Sequence, residues 1–288
     1  MDESRTKHWQ IGKIGVTRIQ ELIDSYPPAR MFIDDPTALI ERNDWLKEFV
    51  SAEGNFSLSL HAFVIVSGNR RILVDSSVGN DKPREDPMLN NLRTPFLEEL
   101  LAAGCPPETI DTVICTHLHV DHVGWNTRLS QGKWVPTFPN ARYIFGRREW
   151  ETCQQLLLDK DERSSYIVDS VQPIVDAGLA DLVEADHRIT DEVWLEPSPG
   201  HTPGHVCVHI ASEGHHAVIT GDVFHHPIQI ADPDFGTKFC MDNATACQTR
   251  RAFLSRYENR KALVLTSHFP TTAGWIDRDK EGWRFSPA

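Results

Sequence analysis

Positive charge is in short supply: 29 lysines and arginines stand against 41 aspartates and glutamates in 288 residues, a formal net charge of −12. Nucleic acid and anionic membrane surfaces normally need a basic stripe to displace counterions, so both are disfavoured as partners. Long apolar runs are missing too. The longest, Ala62 to Val66 and Ala262 to Leu265, are strand-sized, against the roughly 20 apolar residues that span a bilayer. Met1 to Gln10 is polar and charged, without the apolar stretch of a signal peptide. The six cysteines (105, 115, 153, 207, 240 and 247) form no Cys-x-x-Cys pair, and a chain of this length needs no disulfide framework, so free thiols are expected. Together these absences point to a soluble cytoplasmic protein whose partner is a small uncharged molecule.

What is present is an ordinary globular composition, 40 % apolar, organised as alternating strands and helices. Asp35-Pro36 reads as a helix start, followed by Leu39, Ile40, Trp45, Leu46 and Phe49 on one face. Residues 1–55 therefore read as an extension that packs on the core or on a second copy in a homodimer, ahead of a main domain at 56–288. From Ser57 the pattern turns to β: alternating Leu58, Leu60 and Ala62, the run Phe63 to Val66, a Gly68-Asn69 turn and Arg71 to Val74 make a hairpin ending at Asp75. Thr94-Pro95 opens a helix that stops at Gly104, and Ile110 to Cys115 returns as a strand. A strand at Arg142 to Phe145, a helix at Arg147 to Leu158, strands at Val206 to Ile210 and Ala217 to Thr220, a helix at Ala244 to Tyr257 and a last strand at Ala262 to Thr266 complete two successive sets of similar make-up.

The strongest chemical signal is Thr-His-Leu-His-Val-Asp-His-Val-Gly at 116–124, which puts His117, His119, Asp121 and His122 within six residues at a strand end. Imidazole and carboxylate suit Zn, Fe or Mn, and strand ends are where α/β proteins keep their sites. Further candidates follow other strands: His201 in Pro-Gly-His-Thr-Pro-Gly-His, Asp222 after Thr220-Gly221, and His268 after Ser267. Seven donors exceed one tetrahedral ion and suit two ions sharing a carboxylate. His61, His187, His205 and His209 read as hydrogen-bonded core residues, and His215 and His216 as surface.

In this ordered set the chain resembles the metallo-β-lactamase superfamily, over roughly residues 57–275. The resemblance implies an α/β, four-layer αββα sandwich. It further implies His117, His119 and His201 on one divalent ion, Asp121, His122 and His268 on another, and Asp222 bridging, with Asp75 supporting a ligand. A water held by two such ions has its pKa lowered to roughly 7 and attacks as hydroxide. Asp121 and Asp222 would position it and relay its proton. Where acyl-homoserine lactonases of the superfamily carry a substrate-contacting Tyr, three residues after the bridging Asp, this chain has His225. That substitution lowers the quorum-quenching lactonase reading and makes the chain look more like the organophosphate-hydrolase and related ester-hydrolase branches. The expectation is therefore hydrolysis of a lactone, carboxylic ester or phosphotriester, with His225, His226 and Phe269 as substrate contacts. The rivals are a glutathione thioester hydrolase, an iron-dependent dioxygenase and a non-catalytic ligand-binding protein on the same fold.

Overall fold

A computed structural model of the chain describes residues 5–161 and 164–288. Its strands are, in chain order, β1 (Thr6–Ile11), β2 (Ile14–Tyr26), β3 (Phe56–Ser67), β4 (Arg70–Val74), β5 (Thr112–Ile114), β6 (Thr127–Ser130), β7 (Lys133–Pro136), β8 (Arg142–Gly146), β9 (Ala180–Val183), β10 (Val193–Pro197), β11 (Val206–Ser212), β12 (His215–Ile219), β13 (Leu263–Leu265), β14 (Ala273–Arg278) and β15 (Trp283–Pro287). The chain divides into two compact units, Met1–Leu22 with Leu60–His187 and Ile23–Ser59 with Arg188–Ala288. The division falls inside β2 and β3.

The sheet of the first unit runs β1-β2-β3-β4-β5-β8-β9. Its β3–β4 pair is an antiparallel hairpin, and β4, β5, β8 and β9 are parallel. Parallel neighbours need crossovers, which the helices Phe96–Ala102 and Arg147–Leu158 supply. The apolar runs that read as strands are the buried ones: Ala62, Val64, Leu73 and Val113 join Phe96, Leu100, Trp125, Tyr143 and Phe145 in one core. Residues 6–26 are two paired strands of this sheet, with Ile14, Val16 and Ile19 buried, so most of this stretch is β structure.

The second unit has its own sheet, β10-β11-β12-β13-β14-β15. It repeats the device of the first: β11 and β12 form an antiparallel hairpin, and β12 pairs in parallel with β13 after the helix Asn243–Tyr257. The two final strands were not expected from the sequence, which suggested an end at Thr266. Gly274 interrupts their alternation, and it must be glycine because a Cβ there would lie 2.5 Å from the Phe285 ring. The helix expected from Asp35 is broken in two, Thr37–Arg42 and a 3₁₀ stretch Asp44–Phe49. The Asn43 side chain donates to the Leu39 carbonyl at 2.8 Å and ends the first turn, while Trp45 and Phe49 pack against the core of this unit.

Candidate metal centre

In each unit all the donors but His201 leave the carboxyl ends of two parallel, hydrogen-bonded strands, where strand backbones open into loops. In the first unit Asp75 follows β4 and the 116–124 stretch follows β5. The backbone locks the two ends together: Asp75 N donates to Ile114 O at 2.8 Å, and the Asp75 carboxylate accepts from Thr116 N (2.8 Å), Thr116 Oγ1 (3.0 Å) and His122 Nδ1 (2.8 Å). Asp75 holds a left-handed φ of 56°, a strained value that a short polar side chain tolerates when its surroundings fix it. With its proton on Nδ1 facing Asp75, His122 keeps Nε2 as the unprotonated nitrogen, the form a metal ligand needs. The His117 ring lies 4.0 Å from that of His122 and 4.6 Å from that of His119, centre to centre. Asp121 Oδ2 is 3.7 Å from His122 Nε2.

The glycine that closes the motif has a physical reason. A Cβ on Gly124 would lie 1.7 Å from the Val78 carbonyl oxygen, so no other residue allows the ligand loop to cross the loop after Asp75 this closely. Two carboxylates that sequence reasoning missed hold this crossing. Glu21 on β2, fully buried, accepts from Val78 N (2.7 Å), Trp125 Nε1 (2.7 Å) and Thr94 Oγ1 (2.8 Å). Glu149, buried in the first turn of its helix, accepts from Leu118 N at 3.1 Å. Neither announces itself in sequence, since a carboxylate in a strand or a first helical turn usually faces water.

In the second unit Asp222 follows β12 and His268 follows β13, while His201 lies in the turn between β10 and β11. The Asp222 carboxylate, 4 % exposed, has His268 Nε2 at 3.0 Å from Oδ1, and His201 Nε2 and His225 Nε2 each at 3.3 Å from Oδ2. His268 Nδ1 faces Ser59 O at 3.3 Å and His201 Nδ1 faces Cys240 Sγ at 3.7 Å, so both rings turn Nε2 towards the carboxylate. His205 is a brace: Asp222 N donates to its Nε2 at 2.8 Å and its Nδ1 bonds Ser198 Oγ at 2.8 Å. Burial lowers the pKa of His225 and so favours the neutral ring. His201, Asp222 and His225 offer ligand atoms within 4.8 Å of one another, all buried. Nitrogen and carboxylate donors so arranged fit a divalent transition metal.

The other two expected substrate contacts are engaged in packing. His226 stacks on Phe56 at 3.9 Å, takes a hydrogen bond from Ile228 N at 3.2 Å on Nδ1, and faces Phe49 O at 3.2 Å with Nε2. Phe269 is wholly buried against Phe285, 5.3 Å between ring centres. His216, read as surface, is half-buried instead and stacks with His209, its Nε2 3.0 Å from His209 Nδ1. No helix among the described residues is long and apolar enough to cross a membrane.

Comparison with known proteins identifies the fold and the family. A solved hydrolase, AbOPH, described as in the beta lactamase superfamily, superposes with a TM-score of 0.84 at 21 % identity, covering 100 % of this chain and 99 % of that one. AidC, a dizinc quorum-quenching lactonase in complex with a product, superposes with a TM-score of 0.82 at 22 % identity over the same shares. An N-acyl homoserine lactonase of Bacillus cereus is 30 % identical over 114 residues, 40 % of this chain. The chain spans 38 % of that relative's length. The family model described as metallo-beta-lactamase superfamily matches residues 58–268, which takes in every donor named above, from Asp75 to His268. The chain belongs to the metallo-β-lactamase superfamily and has its fold.

Proposed function

We propose that the chain is a metal-dependent hydrolase of small ester-like substrates, with a lactone first among lactone, carboxylic ester and phosphotriester. The observation that carries the reading is Asp222, a buried carboxylate faced by three imidazole nitrogens at 3.0 to 3.3 Å. The names of the lactonase relatives support the order of substrates.

In this reading, which the resemblance supplies, His117, His119 and His201 would hold one ion and Asp121, His122 and His268 the other, with Asp222 as a further ligand. Divalent ions there supply a water of pKa near 7 and a Lewis acid for the substrate's oxygen. The chain's own residues do the rest. Asp75 keeps the His122 proton on Nδ1, and the Ser59 carbonyl does the same for His268. Asp121, whose side chain is 20 % exposed, would take the proton of the attacking water and return it to the leaving oxygen.

A screen of the purified protein against lactone, aryl ester, phosphotriester and β-lactam substrates, with elemental analysis of the same sample, tests this. The expected result is close to two transition-metal ions per chain and ester or lactone turnover that chelator abolishes. One ion with full turnover would sink the two-ion centre and favour the dioxygenase-type site. Turnover confined to the β-lactam would overturn the substrate class.

A further inference from the structure

His225 is 2 % exposed, and neither ring nitrogen makes a hydrogen bond among the described residues. A buried polar group left so costs about 1–3 kcal/mol, and here both nitrogens of one ring are affected. The ring is nevertheless firmly placed. It lies parallel to His268 at 5.6 Å and 8°, 4.9 Å from His201 and 5.5 Å from Phe239, and its backbone N–H donates to Gln229 Oε1 at 2.8 Å. Gln229 is itself buried and tied to the Phe235 carbonyl at 3.1 Å, so the ring's direction is set from behind.

The spacing of its neighbours is informative. His201 Nε2 and His225 Nε2 each stand 3.3 Å from Asp222 Oδ2. Ordinary N–H···O bonds lie near 2.9–3.0 Å, so 3.3 Å is long for a hydrogen bond. It is, however, the edge of a tetrahedron whose centre is bonded to its corners at about 2.0–2.1 Å, roughly 3.3–3.4 Å, the spacing of nitrogen and oxygen donors around zinc. By that criterion each imidazole stands one tetrahedral edge from the carboxylate oxygen, and the three ligand atoms lie within 4.8 Å of one another, the two-histidine, one-carboxylate donor set of catalytic zinc sites.

From this geometry we infer that His225 is a metal ligand, sharing with His201 and Asp222 one ion of the proposed centre, and is not primarily a substrate contact. The inference rests on the metal-dependent reading above and adds an eighth donor to its seven. It also explains why this buried ring goes without a hydrogen bond: a bound ion would satisfy Nε2 more strongly than a hydrogen bond would.

The test is metal affinity, read without substrate. Apo protein is titrated with Co²⁺ and Zn²⁺ against a chromophoric chelator, in wild type, His225→Ala, His225→Phe and the double variant His117→Ala/His119→Ala. His225→Ala and His225→Phe are expected to weaken one of two binding events by at least about tenfold and to shift the Co²⁺ visible band. The double variant is expected to keep, beside the ion assigned to Asp121, His122 and His268, a weakened second binding event on His201, Asp222 and His225, which the further change His225→Ala removes. If wild type binds two ions and both His225 variants match it in affinity and spectrum while turnover falls, the residue is a substrate contact and the inference is overturned. If wild type binds no transition metal, the metal-dependent reading itself fails, a result distinct from the first. Should the triple variant fail to fold, as circular dichroism would reveal, the two single variants decide.

Discussion

Two buried carboxylates of this protein are balanced in different ways. Asp169, in the first unit, is met by charges that the chain supplies itself: Arg84 donates two bonds to it at 2.7 and 2.8 Å, and Lys82 Nζ stands 3.4 Å away. Lys82 is wholly buried, donates to Thr127 Oγ1 at 2.8 Å and sits 3.8 Å over the Trp134 ring. Asp222, in the second unit, is instead surrounded by imidazoles of His201, His225 and His268. An imidazole that is to ligate must be neutral, so this set leaves the carboxylate charge to be met from outside. The comparison separates a structural ion cluster from a centre built to receive a cation, although both look alike in burial and in residue type.

The largest expected difference is in turnover. Asp222→Asn keeps shape and removes the charge, so turnover on a confirmed substrate at saturating metal should fall by about 100-fold or more, with a smaller change in KM and weaker metal binding. Near wild-type turnover in that variant would remove Asp222 from the centre.

Asp169→Ala should do the opposite. It strands Lys82 and Arg84 in the interior and should cost about 3–5 kcal/mol in denaturant unfolding, as breaking a buried pair does, while the folded variant keeps its full metal content. A cost below about 1 kcal/mol, or a loss of metal, would erase the distinction between the two carboxylates.

The smallest effect is a pH signature. Burial lowers the Lys82 pKa from 10.5 to about 8, with Asp169 acting in the other direction. Between those values the unfolded chain holds a proton that the folded chain has released, so the Lys82 contribution makes stability rise with pH from about 8 to 10.5. Comparison of unfolding free energies at pH 8 and 10 in wild type and Lys82→Met checks this. The variant should lose that rise, and an unchanged slope would contradict the buried, partly deprotonated lysine.

Parts of this were legible beforehand. His117 to His122 lie within six residues, and local spacing alone gathers such donors on one loop. Asp75 stood at a strand end, a place from which a carboxylate can hold a ligand, and it does hold His122. Helix Arg147–Leu158 and the β3–β4 hairpin were written in their periodicity and turn residues. By contrast, β14 and β15 were hidden because Gly274 takes its meaning from the Phe285 ring, 11 residues away in the chain. His225 and His226 are neighbours of identical type, and from sequence both carry the same expected role as substrate contacts. Only the packed structure turns one towards Asp222 and seats the other on Phe56.

The sequence by itself pointed to the kind of chemistry, because nitrogen and oxygen donors crowded at strand ends have few other uses, and its acidic balance disfavours the common polyanionic partners. The tertiary structure alone decided which side chains hold the donors and which carry compensated charge. Glu21, Glu149 and Asp169 are all carboxylates in unremarkable local sequence, and the partners that set their roles, Val78 N, Leu118 N and the Arg84 guanidinium, lie 31 or more residues away. Burial and long-range hydrogen bonding assign their roles, and neither is a property of local sequence.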